Sequence, residues 1–183
     1  MAHTSSLRIL YLSYFSKPVG DRPIYRAIRR QKATRILEIG VGMGRRATRM
    51  IEVAARFAPV DQVQYTAMDR FEDRSAVDGP GITLRMAYRL FGATGAQLRL
   101  IPGEPFAGLA REANAIGQID LAVISSRQDE ECLARAWLYL PRMLNERSEV
   151  FMERILPGGE VGLRSISHDE ISSLAGSGLR RAA

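Results

Sequence analysis

The segment with the clearest chemical potential is Glu38-Ile39-Gly40-Val41-Gly42-Met43-Gly44. Three glycines at alternate positions allow a tight turn and let a ligand reach bare backbone without meeting Cβ atoms. The turn runs into a stretch of helical spacing, and free N–H groups at a helix start favour an anionic group nearby. Two phosphate-binding patterns are excluded. The fingerprint G-x-G-x-x-G fails because Arg45 stands where its third glycine belongs, and no Gly-Lys-Ser/Thr completes a P-loop. Glu38, two residues before the first glycine, repels a pyrophosphate but can accept hydrogen bonds from a ligand ammonium group.

The elements that must position this turn follow from periodicity. Arg35–Ile39 reads as a strand, and Ala47, Met50, Ile51, Ala54 and Ala55 recur at helical spacing until Pro59. Val63–Met68 is a second strand, Ser75–Gly81 a glycine-rich loop, and Leu84, Ala87, Tyr88 and Phe91 mark one helix face. Strands are expected at Gln97–Ile101, Ile119–Ile124 and Glu149–Ile155, with helices over Pro105–Ala115 and Asp129–Asn145. After Ile155 a short strand, Glu160–Ser165, and a helix, Asp169–Ala175, fit the 28 remaining residues, which gives five or six strands in all. Such alternation predicts an α/β domain: a doubly wound, mostly parallel sheet with helices on both faces, abbreviated at its C-terminal end. A single domain over 1–183 is expected, with 1–32 as an N-terminal lid or helix segment, 33–155 as the core, and 156–183 as a short hairpin, helix and tail. Ligands in such sheets bind beyond the carboxyl ends of the strands, so the residues after Ile39, Met68, Ile101 and Ile124 matter most.

Composition narrows the classes. With 183 residues, 46% hydrophobic and 25% charged, the chain reads as an ordinary globular domain. No apolar run reaches the roughly 20 residues of a membrane span, and Leu7–Phe15 lacks the basic lead-in and cleavage site of a signal peptide. A cytoplasmic protein without a membrane partner is the expectation. Cys132 is the only cysteine and His3 and His168 the only histidines, which removes an intramolecular disulfide, a cysteine-based zinc site and histidine-rich metal chemistry. The net charge of +6 comes from 24 Arg and two Lys against 20 acids, without the dense basic stripe and interleaved aromatics of a nucleic-acid binder. A nucleic-acid partner is thus unsupported, and the oligomeric state is not readable.

Ile36 to Gly44 resembles the first motif of the class I S-adenosylmethionine-dependent methyltransferases, matching at its acid and at each glycine. The likeness extends over about Arg35–Ile155 and implies a Rossmann-like fold and S-adenosylmethionine as cofactor. It implies that Glu38, Gly40, Gly42 and Gly44 surround the methionine and ribose parts. Asp69, ending the second strand, matches the acid that holds the ribose hydroxyls. The resemblance places Glu104 near the adenine amine and Ser125 near the methyl donor. The reaction implied is methyl transfer to an acceptor, with a small molecule favoured. The alternative is a catalytically silent relative that keeps the fold for binding or assembly.

No general base is identifiable and no metal is expected. Ser125 stands where metal-dependent O-methyltransferases carry an Asp, and no Asn/Asp-Pro-Pro-aromatic motif occurs. Asp129, Glu130 and Glu131 suit a helix start, where acids complement the dipole. His168 lies in Ser167-His168-Asp169-Glu170, a capping-box pattern with Ser167 at N-cap and Glu170 at N3. Arg45, Arg46 and Arg49 oppose the dipole of their helix; Arg45 or Arg46 reaches an anionic ligand group or points into water. Tyr14–Pro23 is a loop with aromatics and cations leading into an amphipathic helix, either a lid or an ordinary surface helix.

Overall fold

The computed structural model describes residues 5–182 except 129 and 158. Six strands form one sheet in the order β3-β2-β1-β4-β5-β6. These are β1 (Arg35–Ile39), β2 (Gln64–Asp69), β3 (Gln97–Pro102), β4 (Ile119–Ile124), β5 (Leu144–Ile155) and β6 (Val161–Ile166). The first five are parallel and β6 returns antiparallel to β5, from Val150↔Ile166 to Ile155↔Val161. The strand order reverses between β1 and β4, which places a crevice at the carboxyl end of β1.

Period-two alternation sorts β1 between two cores. Ile36 joins one face with Tyr65, Leu121 and Val123, while Leu37 and Ile39 join the other with Met68, Ala122 and Ile124. Both faces are covered, so the central strands are largely apolar, with Glu38 the buried charge of β1. The first face is packed by α1 (Ser6–Tyr14), α2 (Arg22–Gln31), α3 (Arg45–Ala54) and α4 (Leu84–Gly92). The second is packed by α5 (Pro105–Ile116), α6 (Glu130–Ala136), α7 (Leu140–Met143) and α8 (His168–Ala182). Leu12, Ile24, Tyr25 and Ile28 are fully buried, each contributing about 1.5–3 kcal/mol of apolar burial. Among the described residues, α1 and α2 therefore pack one face each into the core, and of this segment only Pro18, Gly20 and Asp21 line the crevice. Arg49 fixes that turn by donating from Nη1 to the Lys17 carbonyl at 2.7 Å.

The expected helix over Asp129–Asn145 is not continuous. Residue 129 lies outside the described residues, α6 stops at Ala136, and α7 restarts with Pro141 in its first turn. Proline lacks an N–H and clashes with the carbonyl four residues back, so it begins a new helix rather than extending the old one. The chain then enters β5 at Leu144, five residues before the expected start. Ser148 stabilises this early entry: its hydroxyl donates to the Ile119 carbonyl at 2.7 Å and accepts from Asn145 N at 2.8 Å.

Candidate functional site

A cavity of about 390 Å³ lies at the reversal of strand order. Its floor is the turn from Gly40 to Arg46, and the loop Ser125–Gln128 after β4 forms one wall. Pro18, Gly20 and Asp21 close a second side, Val161–Leu163 of β6 a third, and Arg74, Asp78 and Pro80 the last. The short C-terminal hairpin thus supplies part of the wall.

The three glycines serve different ends. All have positive φ, +86° at Gly40, +59° at Gly42 and +75° at Gly44, a region costly for other residues. A Cβ on Gly40 would stand 2.6 Å from the Ser125 Cβ and 2.5 Å from Gln128 Nε2, so this glycine admits the β4 loop. One on Gly44 would meet Leu90, Ile82 and Phe91 at 2.9–3.1 Å, so this glycine admits α4. Around Gly42 the nearest atom is the Pro80 carbonyl oxygen at 4.0 Å, which leaves bare backbone facing the cavity. The N–H groups of Gly42 and Met43 have no partner among the described residues, and they precede α3, whose first N–H groups also lack intrahelical acceptors.

The acids expected at the ligand are arranged otherwise. Glu38 alternates into the helix-covered core and is fully buried. Its Oε1 accepts from Arg46 Nε at 2.7 Å and its Oε2 accepts the Tyr65 hydroxyl. Glu38 does not line the cavity. Burial pushes its pKa above the usual carboxylate value, against the pull of Arg46 and the Tyr65 hydrogen bond. Arg46 points neither into water nor to an open anion site. Its Nη1 also donates to Glu153 and lies 3.7 Å from Asp21. Burial works against the Arg46 charge, yet the three carboxylates outweigh it and hold its pKa above the usual arginine value. Arg45 is exposed at the cavity rim.

Asp69 sits beside the glycine turn, accepting from Val41 N at 2.6 Å through Oδ2 and from Phe71 N at 2.9 Å through Oδ1. Arg74 takes the rest, with Nε donating to Oδ1 at 2.7 Å and Nη2 donating to Oδ2. Each carboxylate oxygen thus accepts two hydrogen bonds within the chain. Arg74, rather than Asp69, faces the cavity, and its Nη1 donates to the Asp78, Gly79 and Pro80 carbonyls at 3.0–3.4 Å. Glu104 lies outside the cavity and accepts from Arg70 at 2.7 Å. Ser125 lines the cavity, with its N–H on the Ile39 carbonyl at 2.8 Å.

Of the seven expected site residues, Gly40, Gly42, Gly44 and Ser125 line the cavity and Glu38, Asp69 and Glu104 do not. Sequence reasoning missed Asp21, Arg74 and Glu153, which line it. Asp21 lies in the Tyr14–Pro23 segment, read as a loop noted for its aromatics and cations, Arg74 in the unassigned stretch before the Ser75–Gly81 loop, and Glu153 in a strand with no site role assigned. His168 has a structural place: its Nε2 lies 3.0 Å from the Ser148 carbonyl oxygen. The Ser167 hydroxyl accepts from Glu170 N at 3.2 Å, but the Glu170 side chain binds Arg164 instead of closing the box. Among the described residues no cluster of three His, Cys, Asp or Glu could hold a metal ion, and no helix is long and apolar enough to cross a membrane.

No family model matches the chain, and no curated protein matches it in sequence. Solved structures do. An O-methyltransferase from Bacillus cereus, in complex with S-adenosylhomocysteine, superposes with a TM-score of 0.57 at 15% identity, covering 92% of this chain and 69% of that one. A TehB-like S-adenosylmethionine-dependent methyltransferase from Corynebacterium glutamicum gives 0.52 at 14% identity, covering 92% and 76%. A methyltransferase from Podospora anserina, bound to S-adenosylhomocysteine, gives 0.51 at 17% identity, covering 90% and 66%. The fold is that of the class I methyltransferases, a Rossmann-like, mostly parallel sheet.

Proposed function

We propose that the chain is an S-adenosylmethionine-dependent methyltransferase acting on a small-molecule acceptor, with the cavity over Gly42 as its cofactor site. One observation carries this reading: the bare backbone at Gly42 opens into a cavity at the strand-order reversal, where the fold binds ligands. The residues fit the amino-acid end of the cofactor. The Gly42 and Met43 N–H groups and the start of α3 offer donors to a carboxylate, and Gly40 lets the Ser125 loop pack against the turn. When bound, S-adenosylmethionine supplies an electrophilic methyl carbon on a sulfonium. The chain's share is then to hold donor and acceptor in line and to exclude water, and alignment of this kind supplies much of the acceleration in a displacement. Ser125, Ser126 and Gln128 stand at the carboxyl end of β4, beside the turn, as positioning groups.

Asp69 is proposed as the ribose acid and Glu104 as an adenine contact, and both need a rearrangement. Arg74 must leave Asp69 before two hydroxyls can replace it, and Glu104 must turn from Arg70. Glu38 acts from behind, by fixing Arg46 under the turn. The saturation of Asp69 favours a second reading, a silent relative that keeps the fold for binding or assembly.

Isothermal titration with S-adenosylhomocysteine separates the two. The methyltransferase reading expects saturable binding of one ligand per chain, lost in Gly42→Val, whose branched side chain would fill the turn. Absence of binding to the wild-type chain leaves the silent reading standing.

A further inference from the structure

Among the described acids of the cavity wall, Asp21 has the longest polar contacts. It is buried, at 6% exposure, yet its Oδ2 accepts only a 3.4 Å hydrogen bond from the Tyr25 hydroxyl and its Oδ1 stands 3.7 Å from Arg46. It occupies the N-cap position of α2, where an aspartate normally accepts from the second or third helical N–H, and it makes no such bond. Its side chain lies against the cavity instead. Glu153 is beside it, bound to the same Arg46 nitrogen and accepting from Ser126 N at 3.2 Å. Arg46 therefore faces three carboxylates, Glu38, Glu153 and Asp21, and gives the weakest contact to Asp21. A buried carboxylate with long contacts has accepting capacity left over, and a cationic ligand group would satisfy it. Burial, with the Glu153 charge beside it, pushes the Asp21 pKa up against the pull of Arg46, the Tyr25 hydrogen bond and Arg49.

We infer that Asp21, flanked by Glu153, is the acceptor for the ammonium group of the bound amino-acid moiety. This assignment rests on the cofactor reading above and transfers to the α1–α2 turn a role expected of Glu38, which Arg46 and Tyr65 keep away from the cavity. The two ends of a zwitterion are then met separately. Donors precede α3 for the carboxylate, and Asp21, from the α1–α2 turn, takes the ammonium.

Titrations of the wild-type chain and of Asp21→Asn with two ligands test it. S-adenosylhomocysteine carries the ammonium, and 5′-methylthioadenosine lacks the whole amino-acid end. The inference expects Asp21→Asn to weaken S-adenosylhomocysteine about tenfold or more, the usual worth of a charge-assisted hydrogen bond, while methylthioadenosine binds both proteins alike. Equal weakening of both ligands, or of neither, overturns the assignment and leaves the cofactor reading intact. Failure of the wild-type chain to bind either ligand overturns both. Should the variant fold poorly by circular dichroism, the wild-type chain decides alone. Decarboxylated S-adenosylhomocysteine, which keeps the ammonium, must then bind more tightly than methylthioadenosine; equal affinities refute the role of Asp21.

Discussion

Two strand ends in this molecule carry the same pair, a carboxylate and an arginine, and use it to opposite effect. At β1, Glu38 and Arg46 are eight residues apart and lie under the glycine turn, with the carboxylate fully buried. At β2, Asp69 and Arg74 are five residues apart, and the arginine lies between its carboxylate and the cavity. The first pair braces the floor from beneath and leaves Gly42 uncovered. The second closes the end of the cavity where the ribose acid is expected, and fastens the 78–80 backbone over it. Identical chemistry becomes a foundation or a latch according to which side of the backbone the arginine approaches from.

The largest test of that contrast is Arg46→Met. It leaves Glu38 buried with only the Tyr65 hydroxyl, and breaking a buried pair from one side costs about 3–5 kcal/mol. Urea denaturation reads the loss. Its pH dependence follows from the direction of the Glu38 shift. Because the folded state already holds this pKa above its unfolded value, protonation favours the fold: the contribution is full below the ordinary carboxylate pKa and lost as pH rises through the raised one. Without Arg46 the pKa rises further, so the deficit of the variant widens as pH rises through the raised pKa of Glu38 and narrows as pH falls below it. A deficit that stays constant with pH would mean that Glu38 is not the stranded group.

Arg74→Met is the milder counterpart. Asp69 keeps the Val41 and Phe71 N–H groups, so stability falls by about 1–3 kcal/mol, less than at Arg46. Ligand binding moves the other way. With the latch gone, S-adenosylhomocysteine should bind about tenfold more tightly by titration, a gain of about 1.4 kcal/mol. Unchanged or weaker binding would show that Arg74 is no latch and that Asp69 serves the fold alone.

These two pairs also mark how far the sequence could be read. Elements were legible because periodicity is local: β1 and β4 fall at their expected limits, and β2 and β3 within a residue. The break at Pro141 was legible too, since proline inside a helical pattern is a stop signal, and the expected helix over Asp129–Asn145 runs through it. The glycine turn and its acids stood out by spacing. What spacing does not carry is the counter-ion. Nothing local says that Glu38 meets an arginine from the next helix, that Glu153 arrives from a strand over a hundred residues away, or that Arg74 folds back on Asp69. Alternation along β1 carries the face that Glu38 takes, since it shares parity with Ile36 and the first core. That parity, weighed against the motif, would have placed the acid behind the turn.

The finest test lies within the turn, where Gly42 and Gly44 have the same handedness and different neighbours. Alanine at either position must adopt positive φ, at about 1–2 kcal/mol each, so that cost cancels between the two variants. What remains is space. On Gly44 the new methyl presses on Leu90, Ile82 and Phe91 in the packed core, and overpacking adds about 1 kcal/mol or more. On Gly42 it meets nothing closer than 4.0 Å and projects toward the cavity. Gly44→Ala should therefore be the less stable of the two by urea denaturation, and Gly42→Ala the weaker binder of S-adenosylhomocysteine by titration. The crossing of the two rankings is the informative outcome. If one variant is worse on both counts, stability and binding share a single determinant, and the turn cannot be divided into a residue that packs and a residue that receives.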